Sequence, residues 1–128
     1  NENDVIATDE LVFGDNDQLA AHVAYHFKAD MLAILSDIDG YYNKNPREFE
    51  NAVLQKNVYE ISTDALEMKH SANSEFATGG IVTKLKAADF LMKRNIPMYL
   101  SSGFDLTNAY DFLVEENHKS GTIFHPIK

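Results

Sequence analysis

A chain of 128 residues is long enough to bury one core and too short for two ordinary domains. Its 20 acidic residues against 11 Lys and Arg leave a formal charge of −9, which argues against duplex nucleic acid or an anionic membrane as partner. With 45% apolar and 11% aromatic residues it is a folding chain and not an acidic tail, and the absence of cysteine excludes disulfides, Cys–zinc sites and thiol catalysis.

In chain order, Asn1-Glu2-Asn3-Asp4 has no basic region followed by an apolar stretch, so it does not read as a signal peptide. It also lacks an initiator Met, so the chain is expected to be processed, trimmed or part of something longer. No apolar run approaches the roughly 20 residues of a membrane helix. The spacing of Leu19, Ala20, Val23, Ala24 and Phe27 predicts a helix over 17–29 with that face inward. Met31 to Leu35 is a continuous apolar run, as in a strand covered on both faces. Residues 37–47, with Gly40 and Pro46, read as a loop. A short strand at 58–61 is followed by Ser62, a candidate cap for a helix over 63–69. Residues 70–80 are small and polar, hence a loop. Ile81, Leu85, Ala88 and Met92 predict a helix over 81–94, with Lys93 and Arg94 at the end its dipole favours. A strand at 96–100, a helix near 106–116 and a strand at 122–124 complete the pattern. Such alternation predicts an α/β fold with a largely parallel sheet.

Three loops could carry chemistry. Thr78-Gly79-Gly80 precedes the helix opening with Ile81-Val82-Thr83-Lys84. Two glycines let backbone N–H groups approach an anion, the helix start adds partial positive charge, and Lys84 is near enough to meet a phosphate. The same glycines could simply make a turn. The P-loop spacing is absent. In Gly14-Asp15-Asn16-Asp17 the carboxylates could be a solvated helix cap, or a site for a substrate ammonium or Mg2+ with Asn16 as an orienting amide. Ser36-Asp37-Ile38-Asp39-Gly40 follows a strand, where ligands of open α/β sheets bind. Its glycine stands two places too early for an EF-hand loop. An aspartyl phosphatase of the HAD type would use Asp37 as nucleophile and Asp39 as acid–base, whereas a blander role is to shape a turn. His22 and His26 share the i, i+4 spacing of a two-His metal face but lack a companion Glu, and read as surface residues.

Taken in order, Asn1-Glu2-Asn3-Asp4, Phe13-Gly14-Asp15-Asn16-Asp17, Leu35-Ser36-Asp37-Ile38-Asp39-Gly40-Tyr41-Tyr42, Asn45-Pro46-Arg47, Thr78 to Leu85 and Gly121 to Pro126 resemble the glutamate 5-kinase branch of the amino acid kinase family. The resemblance covers essentially the whole chain. It implies a three-layer α/β sandwich and ATP-dependent phosphorylation of the γ-carboxylate of L-glutamate, the first step of proline biosynthesis, in the cytoplasm. It implies that Asp4, Asn16 and Asp15 contact glutamate, that Asp17 orients catalytic lysine, and that Ser36 and Asp37 contact nucleotide. It further implies that Thr78, Gly79, Gly80, Ile81, Val82, Thr83 and Lys84 hold ATP, with Lys84 on the transferring phosphoryl group, Mg2+ as cofactor and a homo-oligomeric assembly. Ala77 stands where the family often has Gly, and Asn45 where many members have Asp. The family's opening strand, glycine-rich loop and first catalytic lysine do not precede Asn1. Residues 1–128 are therefore expected to be the C-terminal, nucleotide-binding part of a kinase domain, weak in nucleotide binding and inactive without the N-terminal half. The alternatives are the Asp37 phosphatase and a catalytically silent nucleotide-binding module.

Overall fold

The computed structural model describes residues 16–67 and 80–127. Within them the chain forms α1 (Asn16–His26), β1 (Leu32–Ser36), β2 (Asn57–Val58), α2 (Thr63–Leu66), α3 (Ile81–Met92), β3 (Met98–Ser102), α4 (Thr107–Leu113) and β4 (Thr122–Phe124). The strands make one sheet in the order β1-β3-β4-β2. β1 and β3 are parallel, paired from Leu32–Met98 to Ser36–Ser102, and β2 is parallel to β4. β3 and β4 are antiparallel, with Leu100 opposite Thr122 and Met98 opposite Phe124. The sheet is thus mixed: the chain after β3 closes back on the rim where β3 ended, so β4 runs the other way.

Successive residues of a strand point to opposite faces, and β3 uses both. Met98 and Leu100 pack with Ile34, Val58 and Phe124 against the side chains of α1, α2 and α3, whereas Tyr99 and Ile123 pack with Ala109 and Phe112 on the side of α4. Helices therefore cover both faces, as a three-layer arrangement requires.

α3 is buried more fully than its single predicted stripe. Ile81, Val82, Lys84, Leu85, Ala87, Ala88, Leu91 and Met92 are all inside, because the helix is wedged among α1, α2 and β3. α1 buries the predicted face only in part. Of the expected stripe Ala24 is buried, together with Ala21 beside it, while Val23 and Phe27 are exposed, Phe27 lying past the helix end. Small side chains let α1 approach α3 closely, and the larger residues are left outside the contact. Leu19, Ala20, Val23 and Ala24 instead line an apolar groove of about 410 Å3 with Ala29, Met31 and Leu32. β1 also departs from expectation: Ile34 is buried, but Leu35 is 47% exposed, because α4 sits on β3 and does not extend over β1.

α1 and α3 end alike. Lys28 (φ +56°) and Asn95 (φ +63°) are left-handed, and the next N–H reaches back five residues, Ala29 to the Ala24 carbonyl at 2.9 Å and Ile96 to the Leu91 carbonyl at 3.0 Å. Each turn delivers the chain into a strand, β1 or β3. Ser62 caps α2 as its sequence predicts, its hydroxyl accepting from the Ala65 N–H at 3.2 Å. The expected loop over 70–79 and the end of the helix predicted to reach 69 lie outside the described residues.

Candidate active site

The first turns of α1 and α3 meet beside β1. Asn16, Asp17 and Ala20 face Leu32, Ala33, Ile34 and Leu35 across a cleft of about 290 Å3. Asp17 also reaches α3. Its Oδ2 lies 2.8 Å from the Thr83 hydroxyl and 3.2 Å from Lys84 Nζ. The Thr83 oxygen is 2.7 Å from the Gly80 carbonyl as well, and its single proton serves one of these two acceptors at a time.

Lys84 is an unusual cation. It is on average 9% exposed, and its stem is buried with the core-facing side of α3. A Cβ built on Gly80 would stand 3.2 Å from Lys84 Nζ, so the ammonium curls back over the start of its own helix. A helix N-terminus carries partial positive charge and disfavours a cation there. Asp17 offsets that cost at close range. Gly80 precedes the helix in the left-handed region (φ +79°), which glycine adopts without penalty. The first N–H groups of α3 have no intrahelical acceptor, so ammonium, hydroxyl and amide donors gather at one helix end. Such a cluster is suited to an anion with several oxygens.

Ile81 and Val82 are buried and belong to the core, so any ligand contact they make is through backbone N–H. Gln18 is a residue that the sequence pattern does not single out. Its Nε2 donates to the Thr83 carbonyl at 3.2 Å, a second tie between the two first turns. The signal available was only its place beside Asp17.

The carboxyl ends of β1 and β3 form the neighbouring rim. The Ser36 hydroxyl donates to Asp37 Oδ1 at 2.9 Å, and the Gly103 N–H donates to the Ser36 carbonyl at 2.7 Å. Ser102 Oγ accepts from the N–H groups of Phe104 and Asp105, so the loop after β3 is held by side chain and backbone together. Asp39 is committed elsewhere: the Tyr42 hydroxyl lies 3.0 and 2.9 Å from its two oxygens. Burial, with Asp39 beside it, pushes the Tyr42 hydroxyl up to about 12. An acid–base role for Asp39 would have to break that contact.

Asn16, Asp17, Gly80, Thr83 and Lys84 are thus brought to one corner, and Ser36 and Asp37 stand at the end of the strand that lines its cleft. Asp4, Asp15, Thr78 and Gly79 lie outside the described residues. The histidines are apart from this corner. His22 packs against the Phe90 ring at 4.1 Å, His26 stacks on His22, and Arg94 lies 3.7 Å over the same Phe90 ring. Among the described residues no three Asp, Glu, His or Cys side chains are grouped to hold a metal ion.

A family model described as the amino acid kinase family matches residues 1–102. The chain is 58% identical over 125 residues to a glutamate 5-kinase of Leishmania donovani, an alignment covering 98% of this chain and 48% of that protein. It is 56% identical over 126 residues to a glutamate 5-kinase of Helicobacter hepaticus, again 98% of this chain and 48% of that one. The chain therefore spans about half the length of these curated relatives. Among solved structures, an isopentenyl phosphate kinase superposes with TM-score 0.60 at 20% identity, over 84% of this chain and 35% of that one. The T. acidophilum isopentenyl phosphate kinase product complex gives TM-score 0.56 at 25% identity, over 87% and 43%.

Proposed function

The chain belongs to the amino acid kinase family, and we propose that residues 1–128 are the C-terminal, nucleotide-binding part of an ATP-dependent glutamate 5-kinase. The observation that carries the reading is the corner where Asp17 holds Thr83 and Lys84 at the start of α3. In the proposed reaction the γ-carboxylate of L-glutamate attacks the γ-phosphorus of ATP. ADP leaves, and glutamyl 5-phosphate forms as the first step of proline biosynthesis.

A carboxylate is already ionised at neutral pH, so no general base is needed. The work left is positioning and charge stabilisation. Lys84 meets the charge on the transferring phosphoryl oxygens, and the amides from Gly80 to Thr83 face the same anion. Asp17 holds the lysine in place. Asn16, with Asp4 and Asp15, is assigned to glutamate. Ser36, Asp37, Thr78 and Gly79 are assigned to the nucleotide. Mg2+ supplies further neutralisation of phosphate charge when bound. Asp17, the carboxylate that the described corner offers, is engaged by Thr83 and Lys84, so we read the ion as held mainly by the phosphates of ATP. Among the described residues no helix is long and apolar enough to cross a membrane. A cytoplasmic, homo-oligomeric enzyme that binds neither nucleic acid nor membrane is the assembly we propose.

Hydroxylamine trapping tests the reading. With ATP, Mg2+ and L-glutamate, the 128-residue chain alone is expected to give no hydroxamate. Adding the upstream half of a curated relative should restore it, with the signal lost on Lys84→Met. Phosphate release from simple monoesters, abolished by Asp37→Asn, would replace the kinase reading with the phosphatase. ATP binding without turnover in the restored chain would leave a silent module.

A further inference from the structure

We propose, resting on the kinase reading, that Gln18 is a positioning residue for phosphoryl transfer, acting through the Thr83–Lys84 peptide. Asp17 and Gln18 are consecutive, and a helix turns about 100° between such neighbours. They nonetheless converge on one residue of α3. Asp17 takes the Thr83 side chain and Gln18 takes its backbone carbonyl. Thr83 is held at both ends.

The carbonyl matters because it belongs to the rigid plane that carries the Lys84 nitrogen and Cα. A helical carbonyl has two lone pairs, and the ladder uses one, so Gln18 can bind the second without breaking the helix. It fixes the tilt of that plane. Lys84 needs such fixing more than an ordinary surface lysine. Its ammonium is folded back against the field of its own helix, and the visible counterforce is Asp17. Asp17 alone sets where the charge is pulled. It does not set the root from which the side chain springs. Gln18 supplies that second constraint, so that an arriving phosphoryl group meets an ammonium whose direction is already set.

The test uses a catalytically active polypeptide that contains these residues and compares it with its Gln18→Met variant. Methionine keeps the length of the side chain and removes the donor. The expected result is a fall in kcat of about tenfold, in line with the sensitivity of transfer steps to sub-ångström misplacement. KM for L-glutamate should stay within about twofold, and the thermal midpoint within about 3 °C, since the donor lost serves a partly buried side-chain-to-backbone bond of modest net strength. A kcat within about twofold of the parent in an active parent overturns this inference alone and leaves the kinase reading standing. A fall in midpoint of more than about 6 °C, with kcat per folded molecule within about twofold of the parent, also overturns it: Gln18 would then merely hold two helices together. A parent that forms no acyl phosphate overturns the kinase reading and this inference with it.

Discussion

Lys84 and Asp17 form an ion pair of 3.2 Å in which the cation lies at the unfavourable end of its own helix. The pair joins two helices, and both side chains are largely withdrawn from water. An ion pair of this kind is weak evidence for stability, because desolvation consumes much of the attraction, but removing one partner strands the other. Asp17→Asn should therefore cost about 1–3 kcal/mol in urea unfolding. Adding Lys84→Met to that variant should recover part of the loss, giving a measurable coupling in a double-mutant cycle. In the reconstituted reaction Lys84→Met should lower hydroxamate formation by about 100-fold or more.

Gly80 is committed by backbone and by space. Its φ of +79° is costly for an L side chain, and a Cβ would stand 3.2 Å from Lys84 Nζ. Gly80→Ala should cost about 1–2 kcal/mol in the same unfolding assay. It should also reduce turnover more than its stability loss explains, since the ammonium must move aside.

Two other glycines give a contrast. A Cβ at Gly121 (φ +84°) would lie 2.5 Å from the Tyr99 hydroxyl oxygen, and Tyr99 is fully buried with that oxygen 2.9 Å from the Ser120 carbonyl. At Gly103 a Cβ would meet Leu35 at 3.4 Å, an ordinary contact. Gly121→Ala should destabilise by more than about 2 kcal/mol, whereas Gly103→Ala should stay within about 1 kcal/mol. Equilibrium denaturation of the two variants side by side checks the difference.

Acid should weaken the fold through two histidines. Burial lowers His22 below its ordinary 6.5, helped by His26 and Arg94 nearby, and burial lowers His125, helped by His118. When the folded pKa lies below the unfolded one, the unfolded chain takes up protons first. Stability is then full well above 6.5 and declines as pH falls through that value. Thermal midpoints measured across this window should drop on the acid side, and His22→Gln should make the drop shallower.

Tyr42 should resist ionisation until about pH 12. Burial is the largest single cause, and Asp39 adds to it through its hydrogen bond and its charge, so Asp39→Asn should bring the midpoint only part of the way back to 10.0. Ultraviolet titration of the chain and of its Tyr42→Phe variant, taken as a difference, isolates this phenolate among the six tyrosines.

Much of this molecule was legible in the order of its residues, and what was not has physical reasons. Ser62, the α3 apolar positions and the glycine before Lys84 are local signals, and each does in the fold what its type predicts. The loop motifs pointed to the family that the comparisons then supported over residues 1–102. The pattern of α1 places Ala24 inside correctly but overweights the larger Val23 and Phe27. Close helix packing rewards small residues, so Ala21 is buried beside Ala24 and the larger side chains stay outside. The reversal between β3 and β4 was invisible because short strands carry no mark of direction. The Gln18 tie was invisible for a similar reason: its partner is a backbone carbonyl 65 positions away, which leaves no pattern in side-chain types.

The antiparallel step between β3 and β4 has a practical side. It sends the Val58 end of β2 to the rim marked by Met98, about 13 Å along the strands from the ends of β1 and β3 at Ser36 and Ser102, and Tyr59 follows Val58 there. Tyr59 is 66% exposed and stacked on His125, and the chain has no cysteine of its own. A single thiol introduced there as Tyr59→Cys would be a unique handle for a dye, one that follows the melting of the sheet while leaving the opposite rim, where the proposed site lies, untouched.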